Sequence, residues 1–132
     1  MRTKRKIVEQ FRALSPFASC ADADLAALAA LARVAHVREG EVVVREGRAG
    51  GHCFVIGKGR ATVSLRGRRL DSLSAGDVFG DLWSEDAEFR PTTVTADVEM
   101  ELYIFDARAL TNLLAERPSM REAIWTDARR GA

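Results

Sequence analysis

Glycine punctuates the middle of this chain. Between Val34 and Phe105, short β-branched or alternating runs (EVVVREG, HCFVIGKG, RATVSLRG and RRLDSLSAGD) are interrupted or closed by Gly40, Gly47, Gly50, Gly51, Gly57, Gly59, Gly67 and Gly76. Runs this short, with an apolar period of two and turn formers at their ends, predict an antiparallel all-β stretch. Ala61, Val63 and Leu65 share one face of a strand and Thr62 and Ser64 the other, and Arg66-Gly67 makes a tight turn into the next. The later stretch TTVTADVEMELYIFD supplies further strands, with Met100, Leu102 and Ile104 on one face and Tyr103 and Phe105 on the other.

The two ends read differently. Ile7, Val8, Phe11 and Leu14 recur at helical spacing until Ser15-Pro16, and Leu25, Leu28, Leu31 and Ala32 form a second apolar stripe after Asp22 and Asp24. Beyond the strands, Asp106 is placed to cap a helix carrying Leu110, Leu113 and Leu114, and Pro118 opens another carrying Met120, Ile124 and Trp125. Strands grouped centrally with helices at both ends predict an α+β, mainly β domain built on an antiparallel jelly-roll-like sandwich or barrel. The expected division is one domain over 1–132: helices over 1–33, the β jelly roll over 34–105 and helices over 106–132.

Composition then removes whole classes of function. At 132 residues the chain can bury a single core without metals or staples. Twenty Lys and Arg against nineteen Asp and Glu leave a net charge of +1, so no global field draws it to nucleic acid or to a membrane. Its two cysteines, Cys20 and Cys53, form no C-x-x-C pair and read as buried thiols in a reducing cytosol. The most apolar run, LAALAALA, falls far short of the ~20 residues of a membrane span, and the expectation is a cytoplasmic protein without a targeting segment. The basic cluster Arg2, Lys4, Arg5 and Lys6 reads as a solvated helix end. His36 and His52 lack the H-x-H pair and third ligand of a metal-dependent jelly-roll enzyme, and no nucleophile-base pair or Walker-type loop is visible; no cofactor, metal or catalytic activity is expected.

The chemistry concentrates in FGDLWSEDAEFRPTTV, residues 79–94. Gly80 permits a tight bend, and DLWSED suits a short helical turn whose first N–H groups would hold an anion over Asp81, Leu82 and Trp83. Ten positions after Gly80, Arg90 has the planar guanidinium that clamps two phosphate oxygens; Asp81 would accept a sugar hydroxyl, and Thr92 and Thr93 add hydroxyls beyond Pro91. The residues alone leave a second reading open, in which Asp81 is a helix cap and Arg90 neutralises Glu85, Asp86 or Glu88 at the surface.

The run GEVVVREGRAGGHCFVIGKGRATVS, followed by LSAGDVFGDL and Arg90, resembles the cyclic nucleotide-binding domain of catabolite regulators, kinase regulatory subunits and nucleotide-gated channels. The likeness covers nearly the whole chain and extends to short, single-domain bacterial members. It implies an eight-stranded jelly roll with flanking helices and a phosphate cassette of the form F-G-E-(aliphatic)-A-L, a variable loop, then P-R-(small)-A-(T or S)-(V or I). Gly80, Asp81 and Arg90 fall at that spacing, and Gly40, Gly47, Gly59 and Phe54-Val55-Ile56 match the family's turns and strand.

Three departures fall in the ligand site. Asp81 stands for the family's ribose-binding Glu, Trp83 for a small Ala whose N–H meets the phosphate, and Pro91, which has no N–H, for a small residue after the Arg. The resemblance implies a sensor of cAMP or cGMP whose terminal helices move on binding, with ligand residues Gly80, Asp81, Leu82, Trp83, Arg90, Pro91 and Thr92, an effector protein elsewhere and a possible homodimer. The alternative is a domain that keeps the fold, has lost the nucleotide and serves as a protein-protein interaction module. Trp125 has a possible family role in stacking on the purine but is expected in the core.

Overall fold

A computed structural model describes residues 2–15, 17–48, 50–80 and 92–130. Helix α1 (Lys4–Arg12), a single 3-10 turn (Phe17–Ser19) and α2 (Asp22–Leu31) precede eight strands: β1 (Arg33–Val37), β2 (Val42–Val44), β3 (His52–Lys58), β4 (Arg60–Leu65), β5 (Arg68–Ser74), β6 (Val78–Gly80), β7 (Thr93–Ala96) and β8 (Met100–Asp106). Helices α3 (Ala107–Ala115) and α4 (Pro118–Arg130) follow. The strands form two antiparallel four-stranded sheets, ordered β1-β8-β3-β6 and β2-β7-β4-β5, an eight-stranded jelly roll flanked by helices.

The two sheets differ in burial, and the sequence shows why. β3 is buried on both faces: Phe54 and Ile56 enter the core between the sheets, while Cys53 and Val55 enter a second core under the helices. Its continuous apolar run CFVI is the pattern of a doubly covered strand. β8 behaves alike, with Met100 and Leu102 inward and Tyr103 and Phe105 toward the helices. β4 alternates, because only Ala61 and Val63 face the core; Leu65, expected with them, is exposed. Phe11 of α1 lies against Phe17, Tyr103 and Phe105, with ring centroids 5.3, 4.7 and 6.3 Å away.

Local capping follows the sequence. Thr3 Oγ1 accepts the Lys6 N–H to start α1, and Asp106 accepts the Ala109 N–H to start α3, as its position predicts. Arg66 (φ 52) and Gly67 (φ 78) make the left-handed turn joining β4 to β5. Cys20 and Cys53 are buried, and burial pushes the Cys20 thiol up. No helix among the described residues is long and apolar enough to cross a membrane.

Arg2 departs from the solvated helix end read in the sequence. Its guanidinium forks onto Glu101 of β8, with Nη1–Oε1 at 2.6 Å and Nη2–Oε2 at 2.8 Å. Nη1 also donates to Gln10 Oε1 (2.8 Å), which accepts from the Tyr103 hydroxyl at 2.5 Å. Lys4, Arg5 and Lys6 are exposed, as expected. The cluster was misread at Arg2 because its partner lies 99 positions along the chain.

Candidate functional site

The described part of the site is its frame. Gly80 ends β6 opposite Cys53 of β3, with φ 108, a region closed to side chains. A Cβ there would meet the His52 carbonyl oxygen at 2.5 Å and the Cys53 Cα at 3.1 Å. Only glycine lets β6 lie this close to β3. One residue earlier, Phe79 stacks on Phe54, centroids 4.9 Å apart and rings 15° from parallel.

The turn into β6 is equally constrained. Gly76 has φ 94 and a Cβ on it would strike the Ser15 carbonyl of the N-terminal segment. The Gly76 N–H donates to the Ile56 carbonyl, and Asp77, although buried, accepts the Ser74 N–H at 2.8 Å. The Gly76 N–H to Ile56 carbonyl bond and the Ile56 N–H to Asp77 carbonyl bond thus seat the start of the 76–80 segment on β3.

On the return side Thr92 is half-buried immediately ahead of β7. Thr93, read from the sequence as a hydroxyl for a ligand, is committed elsewhere. Its hydroxyl donates to Glu46 Oε2 (2.9 Å) and accepts the Glu46 N–H (3.1 Å), while Glu46 Oε1 accepts the Arg66 N–H at 2.8 Å. One half-buried carboxylate therefore joins the β2–β3 loop, the β4–β5 turn and the start of β7. Sequence reasoning missed Glu46, since its partners lie 20 and 47 positions away and an acid in a Gly-rich loop carries no signal of its own.

Of the residues the sequence singles out, the structure holds Gly80 and Thr92 at the two ends of the cassette. Asp81, Leu82, Trp83, Arg90 and Pro91 lie outside the described residues, as do Glu85, Asp86, Glu88, the expected helical turn and the side chain of Trp125.

The model of the cyclic nucleotide-binding domain matches residues 34–117. The chain belongs to that family. It is 35% identical over 89 residues to the potassium/sodium hyperpolarization-activated cyclic nucleotide-gated channel 3 of Homo sapiens, covering 67% of this chain and 12% of that protein. It is also 36% identical over 64 residues to a cGMP-dependent protein kinase of Toxoplasma gondii, covering 48% of this chain and 6% of the kinase. The chain thus spans only a small part of the length of these relatives. Among solved structures, cAMP-bound PfPKA-R (141–441) superimposes with a TM-score of 0.77 at 19% identity, covering 84% of this chain and 39% of that one. The regulatory domain of Toxoplasma gondii PKA with cAMP gives 0.74 at 18%, covering 84% and 45%. At such identities the likeness is one of fold. These relatives are channels and kinases, and they lend no support to the narrower likeness to short bacterial members.

A charged cluster around Arg2 lies on the helix side of the β1-β8-β3-β6 sheet. The hydrogen bond from Arg2 holds the Glu101 carboxyl below its ordinary range, and burial raises the Tyr103 hydroxyl. This cluster ties α1 to β8. A second ion pair, Arg117 Nη1 to Asp24 Oδ1 at 2.5 Å, ties the α3–α4 junction to α2. The N-terminal and C-terminal helices are thereby joined to each other and to the sheet that carries β6.

Proposed function

We propose that the chain is a regulatory module that takes cAMP or cGMP between the Gly80 end of β6 and Arg90, and reports occupancy through its terminal helices. The observation that carries this is Gly80: the family's cassette glycine stands where the close approach of β6 to β3 demands it, with Arg90 ten positions on. Arg90 clamps the cyclic phosphate through two charge-assisted hydrogen bonds, the turn following Gly80 donates backbone N–H groups, and Asp81 accepts from the ribose. Leu82, Trp83, Pro91 and Thr92 complete the proposed ligand-binding set. The helices are the proposed output because Arg117–Asp24 and Arg2–Glu101 add directional polar contacts to the apolar core that packs them on one another and on the β1-β8-β3-β6 sheet. The effector that reads the helices, and any homodimer, belong to this proposal as well.

A second reading has a specific motive in Asp81, Trp83 and Pro91, which replace a longer acid, a small residue and an N–H donor. In it the fold persists as an interaction module without nucleotide. Melting of the purified protein with millimolar cAMP and cGMP separates the two: a ligand that binds only the folded chain raises the melting temperature by mass action. No rise with either nucleotide rejects the sensor and leaves the interaction module.

A further inference from the structure

Three unusual features coincide on the β4–β5 hairpin. Arg66 is the non-glycine residue with positive φ among those described, in a turn position where Asn, Asp or Gly would sit with less strain. The large apolar side chains left exposed among the described residues are Leu65 (38%) and Leu70 (53%), both on this hairpin. Finally, residues 60–74 hold Arg60, Arg66, Arg68 and Arg69 against Asp71, four positive charges minus one negative, or +3, in a chain whose total is +1. All four arginines are exposed, and none of the ion pairs among the described residues engages them.

The geometry makes this a protruding tip. Residues 65–70 are exposed without interruption. Val63 pairs with Asp71 and Ser64 with Arg69, so Leu70 is the extra residue of a bulge. β5 is also an edge strand, bonded to β4 alone. A bulge and arginines on an edge discourage strand addition, which accounts for part of the pattern. It does not account for two exposed leucines, which an edge guarded against association would avoid.

The class of partner follows from what uses both components. Nucleic acid would engage the arginines through phosphates and leave the leucines idle. A protein partner needs on the order of 800 Å² from each side, about 20–30 residues, whereas the uninterrupted exposed tip is residues 65–70. An anionic bilayer has no shape to match: its headgroups take the guanidiniums, and the boundary beneath takes short apolar side chains. We propose that the β4–β5 hairpin is a docking tip for an anionic lipid surface, with Arg66, Arg68 and Arg69 on the headgroups and Leu65 and Leu70 in the boundary layer. The near-neutral chain supplies no long-range pull, so the attraction is local and acts within a Debye length, about 10 Å at 0.1 M salt.

The test is cosedimentation of the full chain with phosphatidylcholine vesicles containing phosphatidylserine, beside vesicles of phosphatidylcholine alone. Binding should require the anionic lipid and disappear at high salt. Arg66→Gly/Arg68→Ser/Arg69→Ser should weaken it on the order of a hundredfold, from about fivefold for each cation. Glycine suits φ 52 and the other two positions are exposed, so the melting temperature should hold and certify the fold. Leu70→Ser keeps every charge and should weaken binding severalfold. No phosphatidylserine-dependent sedimentation at low salt overturns the proposal, as does equal binding by the triple variant. Loss in the triple variant with none in Leu65→Ser/Leu70→Ser also overturns it, reducing the hairpin to a general polyanion patch.

Discussion

Removing Arg2 isolates a carboxylate that the fold has nearly closed off from water. The Glu101 side chain is 8% exposed and Arg2 21% exposed, and the two form parallel hydrogen bonds at 2.6 and 2.8 Å. A fully buried pair broken on one side costs about 3–5 kcal/mol, and a single hydrogen bond to a charged group about 1.5–3 kcal/mol. Here Arg2 is partly solvated and His36 Nδ1 stands 3.9 Å from Oε2, so the lower part of that range applies. Arg2→Ala should therefore destabilise by about 2 kcal/mol, lowering the melting temperature by roughly 6 °C in a domain of this size. The pH dependence has a definite sign. Glu101 has a depressed pKa in the folded chain. Its contribution is complete above the unfolded carboxyl value, about 4.3, and is lost as the pH falls through the lower folded value. Circular-dichroism melts of wild type, Arg2→Ala and Glu101→Gln from neutral to acidic pH should show a gap that is constant near neutrality and narrows below the unfolded value, leaving what Arg2 contributes through Gln10 and Tyr103. A gap under about 1 °C at neutral pH, or one that does not narrow on acidification, would refute the reasoning.

Glu46→Ala should cost about 1–2 kcal/mol, since Thr93 and the Arg66 N–H lose a shared acceptor, and amide exchange at Arg66 should quicken. Gly80→Ala should cost about 3 kcal/mol or more, because φ 108 and the His52 carbonyl both oppose a Cβ; a melt within about 1 °C of wild type would contradict the packing described. Arg90→Ala should weaken any cyclic nucleotide binding by several kcal/mol with little change in melting temperature, measured by isothermal titration. Pro91→Ala with Trp83→Ala should tighten binding roughly tenfold to a hundredfold, by restoring a backbone donor and space; no gain would shift suspicion to Glu85, Asp86 and Glu88.

What could be read from the sequence was what local physics dictates. The change of apolar period marks the switch from α2 to β1 and from β8 to α3, the Asp106 cap is where a cap must be, and Arg66-Gly67 turns as its spacing implies. Gly80 as a point of tight bending was legible for the same reason, because a backbone position that admits no Cβ leaves a mark in the sequence. Faces were harder. Period two places Leu65 with Ala61 and Val63, yet it reaches past the end of the core, a fact about where the barrel stops rather than about the strand.

The polar anchors were invisible, and the physical reason bears on function. Arg2–Glu101, Tyr103–Gln10, Arg117–Asp24 and Glu46–Thr93 span 99, 93, 93 and 47 positions, so no window of one sequence contains both partners. Each joins elements that hydrophobic packing already brings together, and none is needed to choose the fold. An apolar contact is tolerant of small sliding, whereas a forked guanidinium-carboxylate pair has one good geometry and loses its hydrogen bonds within about an ångström of displacement. If a ligand moves the helices, as proposed, these directional bonds are contacts that must break or re-form, beside the apolar core that the helices share with the sheet. It follows that Arg2→Ala should change how the chain responds to a nucleotide as well as how hot it melts. If the helices carry the signal, loosening α1 should alter the ligand-induced change in amide exchange over α3 and α4 while leaving the intrinsic contacts at Arg90 intact. An unaltered exchange pattern in a variant that still binds would show that α1 is structural and that the output lies elsewhere.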